Sequence, residues 1–510
     1  MLALLSLSVM AVALALRMEP HRLAPAGVGV DHWFWRVYVE EYRRTGRFPP
    51  ELPRYILDEH QWYPPLFPLL VAQLPGRLFE RWSHLVASFI DLVRLALLMA
   101  AIRWVGGGDP LTVAVGGLIY ATSPIQVSYN VQLNPRALGA LFLDTVLLIL
   151  VEYQKVEWGW PVWAVLLGLG GLILLTHKMT SQLFWFLVIA AGLLYGDWRF
   201  LALAPGSVVV ALALSRGFYW KVLRAHVDIV KFWNRNWRWI GADQIRESPL
   251  YGEDGYERPS KLHQTGLRGV AFHVWLLVGY NPAAWLACFL VYERLFVASP
   301  VLIYPTLILV WLLLTCLFAL MTTFVPRLKC LGAGHLYVYN TTLAAGLLLA
   351  LTFRYTRVPV LSTALVVSAV ILNAIGVAIY YRHFRQNRRL RIDEDFDQAL
   401  GFLGSLPEGV VMTIPAQWHE PVAYKTRHRV LWGAHGYGFA RLEPVFPRLL
   451  RPIGEVLQVY DVRYLLTMDG ALPDRFVREL PESTIRRFGD YLVYDFAERP
   501  PASRPQAVAR

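Results

Sequence analysis

The residues best suited to chemistry lie just beyond the first apolar stretch of the chain. There Gly29-Val30-Asp31-His32-Trp33-Phe34-Trp35 opens a charged helical segment at 36–47, and Asp58-Glu59-His60-Gln61-Trp62-Tyr63-Pro64-Pro65-Leu66 follows. An acid set among tryptophans beside a membrane span suits a carboxylate poised at the interface, because aromatic rings anchor such a segment at headgroup depth. Asp31 and His32 are therefore the catalytic candidates, with Asp58, Glu59 and His60 as substrate contacts. Asp31, Asp58, Glu59 and His60 could also assemble a divalent site. The plainer reading is that Asp31 caps a surface helix and the adjacent acids are solvated.

Cations at helix ends form a second set. Arg136 stands eight residues before Asp144 on one apolar run, and His177-Lys178 closes another. Arginine offers a bidentate fork and lysine a point charge, so either can hold a phosphate; the alternative is snorkelling to the interface. Asp144, inside a run, needs a partner within the protein. Asp91 and Arg94, three apart on one helical face, are expected to pair with each other. The segment Ser123-Pro124-Ile125-Gln126-Val127-Ser128-Tyr129-Asn130-Val131-Gln132-Leu133-Asn134-Pro135-Arg136 contains no carboxylate. Metal-dependent members of the family that the chain resembles, described below, carry further acids in this segment, so the resemblance makes a Mg or Mn ion the weaker expectation and no cofactor the stronger. His419-Glu420, His428 and His435 match no metal-site spacing and read as ordinary histidines. No P-loop, dinucleotide fingerprint or nucleophile elbow is found, which points away from a bound nucleotide.

The elements that must position these groups are membrane helices. Of 510 residues, 56% are hydrophobic and 17% charged, and the mean hydropathy is +0.40. Apolar runs at 2–16, 84–105, 110–124, 135–152, 160–177, 181–196, 199–215, 269–292, 300–324, 333–353 and 358–381 give about eleven spans by the length needed to cross a bilayer. A soluble enzyme, a disordered scaffold and a collagen-like fibre are excluded, and so is a single anchor. The first run has no basic leader or small-residue cleavage pattern, so it reads as an uncleaved helix. Cys288, Cys316 and Cys330 supply no disulfide framework. The net charge of +12 is spread over loops and helix ends, which fits lipid contacts rather than nucleic acid. Counting short-loop Lys and Arg places the N-terminus in the cytoplasm and the region after 382 outside, against the pull of the cluster Arg382, Arg385, Arg388, Arg389 and Arg391.

Three stretches interrupt the apolar pattern: 17–83, 216–268 and 382–510. The last reads as a small α/β domain over 383–499 with a disordered tail at 500–510. Its strand signals are Val410-Val411-Met412-Thr413-Ile414, Tyr464-Leu465-Leu466-Thr467-Met468 and Tyr491-Leu492-Val493-Tyr494, with helical spacing at 396–406 and 449–460. Loop 216–268 interleaves Lys221, Arg224, Lys231 and Arg235 with Trp220, Trp233 and Trp237, the pattern of an interfacial amphipathic helix. Its Gly252-Glu253-Asp254-Gly255 turn is a candidate mobile element.

In layout the chain resembles the GT-C superfamily of membrane glycosyltransferases, which includes protein O-mannosyltransferases, lipid A aminoarabinose transferases and oligosaccharyltransferase catalytic subunits. The resemblance rests on Asp31-His32-Trp33-Phe34-Trp35 beyond a short first span, the helix ending at Gly46, Tyr63-Pro64-Pro65-Leu66 leading back, and Tyr460-Asp461-Val462-Arg463-Tyr464-Leu465-Leu466 in the terminal domain. It implies a mainly α polytopic protein whose catalytic membrane domain covers 1–382, in the plasma (inner) membrane, with its C-terminal domain extracytoplasmic. It also implies inverting transfer of a sugar from a polyprenyl-phosphate-linked donor to a glycan, lipid or protein acceptor, with Asp31 as the matching first-loop acid. Arg136, His177 and Lys178 would then meet the donor. The alternatives are a lipid-linked-oligosaccharide transporter with a path along Asp91, Arg94 and Asp144, and a catalytically silent assembly protein.

Overall fold

Helix makes up most of the described residues in the apolar runs. The computed structural model describes residues 1–25, 27–29, 31–57, 60–153, 159–237, 266–293, 303–355, 358–386, 392–433, 441, 443, 445–446, 449–472 and 474–496. Among these, six helices are long and apolar enough to cross a bilayer: Leu2–Leu23, Gly76–Val105, Lys178–Tyr195, Thr306–Phe324, Gly334–Tyr355 and Pro359–Gln386. Gly266–Tyr280 and Pro282–Phe289 form a pair bent by 93°, and Pro110–Ala121, Trp160–Leu174 and Trp198–Leu214 are shorter apolar helices. Arg136–Tyr153 has the length, but Arg136, Asp144 and Glu152 dilute its hydropathy. The chain is an integral membrane protein.

The chain divides into two compact units. One comprises Met1–Leu23, Pro64–Lys221 and Thr265–Asn387; the other gathers Ala24–Tyr63, Val222–Gln264 and Arg388–Arg510. The division differs from the sequence expectation in one respect. Most of the first interruption, and the Val222–Gln264 segment, group with the C-terminal region rather than with the membrane helices.

In the membrane unit the helices pack around one apolar core, and a fully enclosed polar network runs through them. Arg17 Nε donates to Asp91 at 2.5 Å, and Arg94 Nε donates to Asp144 at 2.8 Å. Asp91 and Arg94 stand 3.6 Å apart, so each has a nearer partner on another helix than on its own. This corrects the expectation that they chiefly pair with each other. The hydroxyl of Tyr120 donates to Asp91 at 2.6 Å, and Arg17 also reaches the carbonyls of Ala13 and Ala121. Arg17, Asp91 and Arg94 are wholly buried and Asp144 is 3% exposed. A buried charge that loses its partner carries the full desolvation penalty, whereas removing both partners costs far less.

In the other unit a five-stranded sheet runs in the order β2-β1-β3-β5-β4. The strands are β1 (Val410–Ile414), β2 (Arg429–Val430), β3 (Val462–Met468), β4 (Thr484–Phe488) and β5 (Tyr491–Asp495). β1 pairs in parallel with β2 and β3, while β5 is antiparallel to β3 and β4. β1 is buried along its whole length, as a central strand covered on both faces should be. The expected strands are present; β2 and β4 are additional. β4 is an edge strand with exposed Arg486 and Arg487, and such charges discourage further pairing. Phe232 of the Tyr219–Arg235 helix joins the same apolar core, with Ile229 and Trp233 against it.

Replacing Arg17 or Asp91 alone with Ala should lower stability by about 3–5 kcal/mol. The double replacement Arg17→Met with Asp91→Leu should lose much less than the sum. Thermal unfolding in detergent reads the difference, and additive losses would contradict the pairing.

Candidate functional site

Asp31 starts the helix Asp31–Thr45 and is half-buried, while His32 through Val39 behind it are buried on every side. So apolar a stretch needs neighbours all round, and the C-terminal region supplies them. The Arg36 guanidinium lies 4.6 Å over the Tyr424 ring, Trp33 packs 5.3 Å from Tyr424, and Lys425 Nζ sits 5.4 Å from Trp33. Gly27, at φ +146°, lets the chain pass under Trp33; a Cβ there would collide with the indole. Further on, Arg54 to Leu57 run beside β2. Val430 N–H donates to Arg54 O at 2.7 Å, while Ile56 and Leu57 N–H donate to Val430 and Leu431 carbonyls. Phe34 and Tyr55 meet at 6.0 Å, and burial pushes the Tyr38 hydroxyl above its ordinary value. The acid is thus mounted on a rigid support.

His60 stacks on Trp62 at 5.9 Å and bridges to Glu51 through the backbone. Asp58 and Glu59 lie outside the described residues. Among the described residues no three His, Cys, Asp or Glu side chains gather in a metal-binding group. His419 and His428 are both buried and hydrogen-bonded to backbone: His419 Nδ1–H donates to Ala416 O at 2.7 Å, and its Nε2 accepts from Thr413 N–H at 3.2 Å. Burial pulls His419 down to about 3. His435 and the 252–255 turn also fall outside the described residues.

The cations belong to the membrane unit, where Arg136 and His177-Lys178 stand at the starts of two helices whose first turns meet. Arg136 opens Arg136–Tyr153 and Lys178 opens Lys178–Tyr195, each 18 residues long. Gly139, one turn into the first helix, faces the start of the second so closely that a Cβ would stand 3.0 Å from Thr180 Oγ1 and 3.2 Å from His177 Cβ. Two helix N-termini therefore lie side by side, and both present partial positive charge. Asn134 Oδ1 accepts from Arg136 N–H at 3.0 Å, and His177 Nδ1 accepts from Thr180 N–H at 3.3 Å, so His177 acts as an N-cap. The Arg136 guanidinium lies over the rings of Tyr129 at 4.8 Å and Tyr339 at 5.9 Å. No carboxylate pairs with it among the described residues. An arginine fixed by aromatic faces keeps its N–H fork available to an anion.

Sequence reasoning missed several neighbours. Tyr337 OH stands 2.5 Å from Gln182 Oε1 and 2.7 Å from Leu331 O, which ties the 326–331 turn to the helix one turn below Lys178. Lys329 in that turn is half-buried, and desolvation pulls its ammonium below its ordinary value. Arg17, Tyr129 and Tyr339 carried no local signal, because their roles come from helix packing.

The sequence matches no protein-family model and no curated protein. Solved structures do match. ArnT from Cupriavidus metallidurans bound to undecaprenyl phosphate superposes with TM-score 0.54 at 13% identity, over 96% of this chain and 97% of that one. The chain has the GT-C fold. The oligosaccharyltransferase AglB from Archaeoglobus fulgidus, in complex with an inhibitory peptide and a dolichol-phosphate, gives TM-score 0.52 at 11% identity over 91% of this chain and 69% of that one. The same enzyme with Zn and sulfate gives 0.51, again at 11% identity, over 91% and 68%. Within this GT-C fold, the acid and the cations occupy separate units, each with its own support.

Because His419 is more acidic folded than the ordinary value near 6.5, the unfolded chain binds the extra proton between those limits. Its stabilising share is complete above about pH 6.5 and is lost as pH falls toward 3, at up to about 1.4 kcal/mol per pH unit. Melting curves from pH 8 to 5 should show a steeper fall for the native protein than for His419→Gln. Parallel curves would show that the ring is not held neutral.

Proposed function

We propose that this protein is an inverting membrane glycosyltransferase that takes a sugar from a polyprenyl-phosphate-linked donor and passes it to an acceptor on the extracytoplasmic face. The supporting observation is the pair of adjoining helix N-termini bearing Arg136 and Lys178, in a fold shared with proteins seen with undecaprenyl phosphate and dolichol-phosphate. Asp31 takes the proton of the acceptor nucleophile as its oxygen or nitrogen attacks the anomeric carbon. The bond from that carbon to the phosphate oxygen breaks with inversion, and the lipid phosphate leaves carrying the electron pair. Its growing charge is met by the Arg136 fork, the Lys178 ammonium and the helix ends. Phosphate is already a good leaving group, so a base and charge stabilisation carry most of the work and little acid catalysis is needed. His32 stands beside Asp31 on the catalytic side, and Asp58, Glu59 and His60 are assigned to substrate contact.

The membrane domain, 1–382, carries the catalytic machinery, and the α/β region 383–499 supports the acid. The grouping of 24–63, 222–236 and 392–496 in one unit supports a common side of the membrane for the three segments. One body lies on one side of a bilayer, so the chain crosses an even number of times between successive segments. Six and then four apolar runs separate them. The plasma membrane, with this body outside, agrees with the charge bias of the short loops. The pairing of Asp91, Arg94 and Asp144 inside the helices supports a structural role over a transport path.

Asp31→Asn should abolish transfer, with a loss of at least about 10²–10⁴-fold in kcat and an unchanged melting temperature. Full activity would remove the mechanism. Arg136→Ala and Lys178→Ala should act chiefly on KM for the lipid donor. Dialysis against EDTA should leave activity intact; loss restored by Mg or Mn would instead assign Asp58, Glu59 and His60 to a metal.

A further inference from the structure

Two guanidinium groups share one tyrosine ring inside the membrane unit. Arg94 Cζ lies 4.9 Å and Arg136 Cζ 5.9 Å from the centroid of Tyr339. Their charge environments differ. Arg94 is compensated by Asp144 at 2.8 Å and by Asp91 at 3.6 Å, whereas no carboxylate pairs with Arg136 among the described residues.

Tyr339 is itself held in a closed ring of hydrogen bonds. Its hydroxyl donates to Asn130 Oδ1 at 2.8 Å, Asn130 Nδ2 donates to Gln126 Oε1 at 3.0 Å, and Gln126 Nε2 donates back to the Tyr339 carbonyl at 2.9 Å. Arg94 Nη1 adds a donation to Gln126 Oε1 at 3.1 Å, and Tyr339, Asn130 and Gln126 are all fully buried. The ring has no freedom to follow Arg136; Arg136 must settle on the ring. A second face is supplied by Tyr129, 4.8 Å from the guanidinium, whose hydroxyl stands 3.4 Å from His335 Nε2.

We infer that Tyr339 is a positioning residue for Arg136, holding its guanidinium in place so that a polyisoprenoid phosphate meets an already ordered fork. This rests on the proposed contact between Arg136 and the donor phosphate. An arginine left loose would lose rotamer freedom on binding, and affinity would fall accordingly. The hydroxyl serves to fix the ring, and the aromatic face serves the cation.

The test uses the full-length protein in detergent with undecaprenyl phosphate as probe, and affinity read by native mass spectrometry. Tyr339→Leu should raise Kd about tenfold, while Tyr339→Phe, which keeps the face, should stay within about twofold. In an Arg136→Ala background Tyr339→Leu should have no further effect, because the two residues act as one. Equal weakening by Tyr339→Leu in both backgrounds would mean a general structural role and overturn the inference. So would unchanged binding by Tyr339→Leu when Arg136→Ala binds poorly. Undiminished binding by Arg136→Ala itself would instead refute the phosphate contact on which the inference stands. If Tyr339→Leu does not fold, Tyr129→Leu, which leaves the hydrogen-bonded ring untouched, takes its place in the cycle. A loss confined to the Arg136 background then supports aromatic positioning, and an equal loss in both backgrounds overturns it.

Discussion

Four ionised side chains enclosed among apolar helices must neutralise one another or not be ionised at all, and the membrane unit is arranged around that requirement. Arg17, Asp91, Arg94 and Asp144 come from three helices and sum to zero formal charge. Lipid offers no water to an unpaired member, so the helices have one register in which all four are matched. The break between Pro110–Ala121 and Pro124–Tyr129 belongs to the same arrangement. It lets Ala121 O accept from Arg17 and turns Gln126 toward Arg94, Tyr339 and Thr342.

Beside this neutral core stands Arg136, the cation that the network touches but does not balance. Cost and use meet there. Burying a guanidinium partway is unfavourable without a counter-charge, and two tyrosine faces offset only part of that cost. The acid is treated differently. Asp31 is half-exposed at a helix start, with the aromatic packing of Trp33 and Arg36 on Tyr424 behind it.

Much of this could be read from the chain. The helices were legible because about twenty apolar residues have few other uses, and the sheet because Val410–Ile414, Tyr464–Met468 and Tyr491–Tyr494 combine branched and aromatic residues between turn signals. β4 was not, since Thr-Ile-Arg-Arg-Phe lacks alternation and is held in the sheet by pairing with β5 alone. Arg17 was hidden for a related reason. At the end of an apolar run an arginine looks like an anchor, and its partner is 74 residues away. The grouping of 24–63 with the C-terminal region was equally invisible, because the pairing of Arg54–Leu57 with β2 and the stacking on Tyr424 are contacts between distant segments. Arg136 and Lys178 could be proposed separately from their positions at helix ends; that their helix starts adjoin depended on Gly139, whose lack of a side chain signals nothing by itself.

The docking of the Asp31 helix on the Tyr424 region bears on modularity. The sheet domain is not an appendage that can be exchanged or trimmed without consequence. A chimera that imports a foreign C-terminus would strand eight buried residues, His32 to Val39, against a surface not shaped for them. Inheritance must therefore carry three distant stretches together as one cassette.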